Sequence, residues 1–177
     1  MEEKIFLNVI NKQGVIHLAP SDYAFVTTIL RHGLEEQNRR RENFSLIKQH
    51  CLELLLLEIK QAIDFQREKF SEYSPAHQKI IAEVLIYIEK NLAENLDFND
   101  LAEKYSFSQN YFRKIFRDVT GFSPVSYVNR LRVVRAYEYI QKEHLTVGEA
   151  AARVGIYDLN YFSRLFKKIM GTSPTHF

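Results

Sequence analysis

The sequence predicts an all-α fold: two helix-turn-helix subdomains joined by a long connecting helix, preceded by a small, mostly helical segment with one or two short strands. Two observations carry most of that expectation. The stretch SQNYFRKIFRDVTGFSP, residues 108–124, returns fifty positions later as DLNYFSRLFKKIMGTSP, residues 158–174, with seven identities in the fifteen positions from Asn110 to Pro124. Each copy carries an apolar stripe at helical spacing, and each is preceded by a second, shorter helical pattern.

Taken in order, residues 5–18, IFLNVINKQGVIHL, hold two short apolar runs around Asn11-Lys12-Gln13-Gly14, the pattern of two strands or a hairpin. Two strands alone are marginal in water, so they need more sheet or a helix to lie on. Pro20-Ser21-Asp22 marks a helix start, and Tyr23, Val26, Thr27 and Leu30 continue at helical spacing to about Leu34. The run EEQNRRREN, residues 35–43, reads as a solvated, charged connection, with helix over part of it left open.

A long helix follows from about Asn43 to Phe70, with Ile47, Cys51, Leu54, Leu55, Ile59 and Ile63 expected inward and Glu53, Lys60, Asp64 and Arg67 outward. Leu57 falls on the wet side. Either it is one exposed leucine, which is ordinary, or it meets a partner helix, because the stretch from Leu52 to Ile59 is apolar nearly all round. Residues 71–75, SEYSP, form a short polar linker and the expected domain boundary, separating residues 1–74 from residues 77–177.

Beyond it, residues 77–95 form an amphipathic helix with Ile81, Val84, Leu85 and Ile88 inward. Residues 97–105 and 108–120 make the first helix-turn-helix, residues 124–142 the connecting helix, and residues 146–154 and 158–170 the second helix-turn-helix. In residues 108–120 the stripe is Phe112, Ile115, Phe116 and Val119; in residues 158–170 it is Phe162, Leu165, Phe166 and Ile169. Ser108 and Asp158 are N-cap types, while Gly121 and Gly171 stand where a helix-ending glycine turns left-handed. Upstream the offset is 49, pairing Ala102 with Ala151 and Phe107 with Ile156, so the second copy has one extra residue in its turn. Ala102 and Ala151 are small where the two helices must approach closely. The stripe assigns both phenylalanines of the Tyr111-Phe112 and Tyr161-Phe162 pairs to packing, with the hydroxyls of the tyrosines expected near the backbone.

Composition narrows the function classes. Net charge is +2, divided as +3 over residues 77–177 and −1 over residues 1–76, too small a bias to argue for nucleic acid by itself. Placement says more: Arg113, Lys114 and Arg117 share one face of the first repeated helix, and Arg164, Lys167 and Lys168 share one face of the second. One cysteine, Cys51, rules out an intramolecular disulfide and fits a reducing compartment. The six histidines lack metal-ligand spacing, no phosphate-binding glycine loop occurs, and no cofactor is expected. The longest leucine run, Leu54 to Leu57, lies between Glu53 and Glu58, far from a membrane span, and MEEKIF is not a signal peptide. A soluble, cytoplasmic protein is expected.

At this point residues 77–177 are seen to resemble the DNA-binding domain of the AraC/XylS family of bacterial transcription regulators. The resemblance rests on Arg135-Ala136, Ala150-Ala151, Val154-Gly155-Ile156, Tyr161-Phe162-Ser163-Arg164, Phe166-Lys167-Lys168 and Gly171-Thr172-Ser173-Pro174. Ile156 departs from the family's phenylalanine, a core exchange. The sequence ends at His176-Phe177, where the family continues, so its seventh helix is expected to be absent or nearly so. Residues 1–74 resemble the tail of the family's sensor and dimerisation segment, either in a fragment of a longer regulator or in a reduced one.

The resemblance implies a sequence-specific DNA-binding transcription regulator, without enzyme activity, that inserts two recognition helices into successive major grooves. Ser108, Gln109, Asn110, Arg113, Lys114 and Arg117 are its DNA-facing residues on the first helix. Leu159, Asn160, Ser163, Arg164, Lys167 and Lys168 are those on the second, with Leu159 placed to meet a thymine methyl. Expected partners are double-stranded DNA, a second copy of the chain through the helix around 43–70, and RNA polymerase, with no membrane. Two other readings compete. An enzyme using the module as an accessory would need a reactive thiolate, but Cys51 lies in a leucine-rich helix. A helical interaction protein with a silent helix-turn-helix module would have no physical reason to keep the two basic faces.

Overall fold

The computed structural model describes residues 20–39 and 42–176. Among these residues the regular structure is eight helices and one 3-10 turn, with no strand. The strands expected within residues 5–18 lie outside the described residues. By contact, the described residues fall into two compact units, one of 20–73 with 118–121 and one of 74–117 with 122–176.

The first unit is built on α1 (Pro20–Arg39) and α2 (Phe44–Ser71), packed along each other. Helix α1 starts at the proline that marks it, since proline suits a first helical position, but it runs past Leu34. Residues 35–39 supply the helical part of the expected charged connection, and Glu35 and Arg39 form an i,i+4 ion pair at 3.9 Å. Gly33 brings α1 close to α2: a methyl group at its Cα would stand 3.6 Å from Cβ of Cys51. Ile29, Ala62 and Phe70 are buried. Ile47, Cys51, Leu55 and Ile63 are half-buried, as their inward assignment predicts. Leu54 and Ile59, also assigned inward, are instead 42% and 36% exposed. Among the described residues α1 packs along α2 and covers one stripe of it, which leaves Leu54 and Ile59 on the flanks exposed.

The second unit starts with α3 (Pro75–Lys90), which buries Ile81, Val84, Leu85 and Ile88 as expected. It begins two residues before the expected His77, because Ser74 serves as N-cap, accepting from the N–H of His77 at 3.4 Å, with Pro75 at the first position. It ends at Lys90 and not near Asn95, because the Asn91 side chain donates to the Tyr87 carbonyl at 2.8 Å and closes the helix. Helices α4 (Phe98–Lys104) and α5 (Gln109–Thr120) form the first helix-turn-helix. Helix α6 (Pro124–Glu143) is the connector, and α7 (Val147–Arg153) and α8 (Leu159–Met170) form the second helix-turn-helix. A 3-10 turn over Pro174–His176 follows.

Local chemistry sets these boundaries. Asp97 Oδ1 accepts from Asn99 N at 2.7 Å and Asp100 N at 3.3 Å, starting α4. Thr146 and Glu149 form a reciprocal capping box on α7, and the bonds from the Thr146 hydroxyl and N–H hold the Glu149 carboxyl below its ordinary pKa. Gly121 (φ 78°) and Gly171 (φ 81°) take the left-handed conformation expected of them.

The two turns are built alike. Phe107 N–H donates to Ala102 O and Ile156 N–H to Ala151 O, both at 2.9 Å, and both alanines are fully buried, as the close helix approach requires. The left-handed residue is Ser106 (φ 58°) in one turn and Gly155 (φ 78°) in the other. The second half has its own core, in which Val133 and Ala136 of the connector join Ala150, Ala151, Val154, Ile156, Phe162 and Phe166. At the corner between α6 and α7, Arg153 hydrogen-bonds Glu143 and lies over the Tyr139 ring, 4.4 Å from its centre. Among the described residues, no helix is long and apolar enough to cross a membrane.

Candidate nucleic-acid interface

Each recognition helix divides cleanly along its length. On α5, Phe112, Ile115, Phe116 and Val119 are buried, while Gln109, Asn110, Arg113, Lys114 and Arg117 are exposed. On α8, Phe162 and Phe166 are fully buried, whereas Asn160, Arg164, Lys167 and Lys168 are exposed and Ser163 is half-buried. A 3.6-residue period with apolar residues on one stripe separates the two faces in this way, with Leu165 and Ile169 at the half-buried margin on α8. The polar faces are therefore held out by the cores beneath them.

The helix starts are fixed by side chains. Ser108 Oγ accepts from Tyr111 N at 3.3 Å, and Asp158 Oδ1 accepts from Asn160 N and Tyr161 N at 2.9 and 3.0 Å. The Ser108 hydroxyl thus caps α5. The tyrosines that follow are anchored on side chains, which corrects the expectation of backbone partners. Tyr111 Oη pairs with Nδ1 of His77 on α3 at 3.1 Å, and Tyr161 Oη accepts from Asn129 Nδ2 on α6 at 3.1 Å. His77 sits edge-on to both Phe107 and Tyr111. Each recognition helix is in this way pinned near its N-terminus to a neighbouring helix.

Arg113 reaches back across the first unit of the repeat. Its Nη2 donates to Asn99 Oδ1 at 3.5 Å, beside a cleft of about 420 Å³ that Asp97, Ser123 and Val125 also line. One long contact leaves most of the donors of its fork free to engage something else. Among the described residues, Arg117, Arg164, Lys167 and Lys168 make no ion pair. Leu159 is 49% exposed, its other side resting near Gly148 of α7, with Cδ1 at 3.9 Å from where a methyl group on that glycine would stand.

Sequence reasoning missed the residues that hold the two halves in register. Arg132 of α6 donates from Nε to the Leu92 carbonyl at 2.8 Å and from Nη2 to the Glu94 carbonyl at 2.7 Å. Burial of this guanidinium lowers its pKa. The loop it grips also meets the second turn at Gly155, where a methyl group would fall 2.0 Å from the Ala93 oxygen. The sequence signal for Gly155 was present in the motif; for Arg132, one arginine among several on a helix, there was none.

Comparison with known proteins agrees with this geometry. A family model described as a helix-turn-helix domain matches residues 101–177. The transcriptional activator RhaR of Pectobacterium atrosepticum is 30% identical over 155 residues, covering 81% of this chain and 54% of that protein. The TetD protein of transposon Tn10 from Escherichia coli is 31% identical over 101 residues, covering 57% of this chain and 73% of that protein. Among solved structures, the DNA-binding domain of AdpA, a global transcriptional factor in complex with a target DNA, superposes with a TM-score of 0.51 at 28% identity, over 54% of this chain and 86% of that one. The chain spans about half the length of the first curated relatives it matches.

Proposed function

The chain belongs to the AraC/XylS family of transcription regulators, and from that membership we propose that it is a sequence-specific DNA-binding transcription regulator. It places α5 and α8 in successive major grooves. The observation that carries this reading is the duplication itself: two capped helices, each buried on one stripe and basic on the other, within a doubled helix-turn-helix. The connector suits the task, because its 20 residues span about 30 Å at 1.5 Å each, close to the roughly 34 Å between major grooves on one side of B-DNA.

Within this reading, Gln109, Asn110, Arg113 and Lys114 face base edges and Arg117 holds a phosphate, with Ser108 fixing the helix start. Asn160, Ser163 and Arg164 read the second groove, Leu159 meets a thymine methyl, and Lys167 and Lys168 add phosphate contacts. Residues 77–177 form the DNA-binding domain, and residues 1–74 the remainder of a sensor and dimerisation segment. The protein acts in the cytoplasm by binding and not by catalysis, and RNA polymerase is the further partner an activator of this kind would meet.

The affinities of Arg113→Ala and Arg117→Ala for a duplex selected from a random pool, and for random duplex, test the assignment. Arg113→Ala should weaken the selected duplex more than the random one, by roughly 1 to 3 kcal/mol of lost discrimination. Arg117→Ala should weaken both alike and lower the salt slope by about one unit. Equal losses on the two duplexes for Arg113→Ala would reverse the orientation of the helix.

A homodimer through α2 is favoured by one observation, the exposure of the large apolar side chains Leu52, Leu56, Leu57 and Phe65 on that helix. A partner helix covering part of that surface would remove exposed apolar area from water.

A further inference from the structure

Tyr157 is the one residue by which the second turn exceeds the first. Phe107 stands immediately before the cap of α5, and its counterpart Ile156 takes the same place in the second turn, since each donates its N–H to the carbonyl of a buried alanine, Ala102 or Ala151, at 2.9 Å. Ser108 then caps α5 directly, whereas Tyr157 intervenes before Asp158 caps α8. The turn closes without such a residue, as the first copy demonstrates.

What was inserted is a large aromatic side chain left in solvent. Tyr157 is 81% exposed, the most exposed large apolar or aromatic residue among those described. Its hydroxyl has no hydrogen-bond partner there, unlike those of Tyr111 and Tyr161. The backbone on both sides of it is fixed: Ile156 is buried and hydrogen-bonded, and Asp158 is committed to two backbone N–H groups. Backbone fixed on both sides thus presents this aromatic side chain, with its donor unused, at the start of a recognition helix.

Resting on the DNA-binding reading above, we propose that Tyr157 is a DNA-contacting residue whose hydroxyl donates to a backbone phosphate at the edge of the groove entered by α8. It lies before the first residue of that helix and so outside the stripe that reaches the bases. Phosphates run along that edge, and tyrosine is among the side chains that donate to them. The contact positions α8 and carries no sequence preference. Because a phenol is neutral, it releases no counterion, which separates it from every lysine and arginine contact. The first repeat has no equivalent, so the second helix gains a positioning contact in place of the arginine fork that Arg113 supplies on the first.

The test is the 177-residue chain, wild type, Tyr157→Phe and Tyr157→Ala, titrated by fluorescence anisotropy against a selected duplex and a random duplex at several salt concentrations, with thermal unfolding alongside. Tyr157→Phe should lose roughly 2- to 10-fold in affinity on both duplexes, the worth of one hydrogen bond, with an unchanged salt slope and unchanged unfolding. Three results would overturn the proposal: Phe binding like wild type, a loss confined to the selected duplex, which marks a base contact, or a loss of stability matching the loss of affinity. Binding of neither duplex by the wild type would overturn the DNA-binding reading and this proposal together. Binding by the wild type with an unaffected Phe variant overturns this proposal alone.

Discussion

The Cα of Gly155 lies against the backbone of Ala93 so closely that a methyl group there would fall 2.0 Å from the Ala93 oxygen and 2.7 Å from its carbonyl carbon. The second turn is thereby seated on the loop that precedes the first helix-turn-helix. Ser106, its equivalent in the first turn, is exposed and keeps a side chain in the same left-handed conformation. Backbone conformation alone therefore does not require glycine at this point of the turn; the carbonyl of Ala93 does.

Gly155→Ala should accordingly destabilise the protein by several kcal/mol, since backbone cannot yield as a flexible side chain would. Gly171 has a similar φ of 81° but nothing within 4 Å of a new methyl group, so Gly171→Ala should cost only the left-handed penalty of about 1–2 kcal/mol. Urea denaturation of the two variants checks this, and equal losses would remove the Ala93 contact from the account.

Arg132→Ala removes both bonds to the carbonyls of Leu92 and Glu94. Hydrogen bonds from a charged donor are worth about 1.5–3 kcal/mol, less where water can replace the partner, and Glu94 is exposed. A loss of about 2 kcal/mol in chemical denaturation is expected. Arg132→Lys should recover little of it, because an ammonium lacks the planar fork that spans two carbonyls.

The capping box on α7 predicts a pH dependence. The folded carboxyl of Glu149 is held below the ordinary 4.5 by the bonds from Thr146. A depressed folded pKa contributes stability above the unfolded value, and that stability disappears as pH falls through the folded value. The stability difference between wild type and Glu149→Ala should therefore be full at pH 7 and shrink once pH drops below about 4.5. Urea midpoints for both proteins across that range measure it; a constant difference would mean the carboxylate contributes nothing.

Leu57 is 54% exposed on α2. If that face pairs with a second chain, Leu57→Glu buries a charge without a partner and should shift sedimentation toward the monomer. The same mass for both proteins would exclude α2 as the dimer contact.

The division between what the sequence discloses and what it hides follows the range of the interactions. The stripes of α5 and α8, the caps at Ser108 and Asp158, and the glycines at 121 and 171 obey rules that act within a turn or two of helix, so period and residue type reveal them. Leu54 and Ile59 were assigned inward because the pattern records where apolar residues are, not how many neighbours cover them. The pairings of Tyr111 with His77, Tyr161 with Asn129 and Arg132 with the Leu92 carbonyl join residues 32 to 40 positions apart. No local period encodes them. The basic faces of α5 and α8 are legible in the sequence, and the structure brings them to the surface; the extra residue at Tyr157 is visible as a change of repeat offset, but only its exposure gives it meaning.

The central claim is that one chain reads two groove segments at a fixed separation. The most direct measurement is the affinity for a selected two-segment duplex compared with the same duplex carrying five added base pairs between the segments, about half a helical turn. The account predicts that the insertion turns the second segment to the far side of the helix and reduces affinity to that for a duplex bearing one segment. Unchanged affinity would contradict it, leaving only one recognition helix engaged.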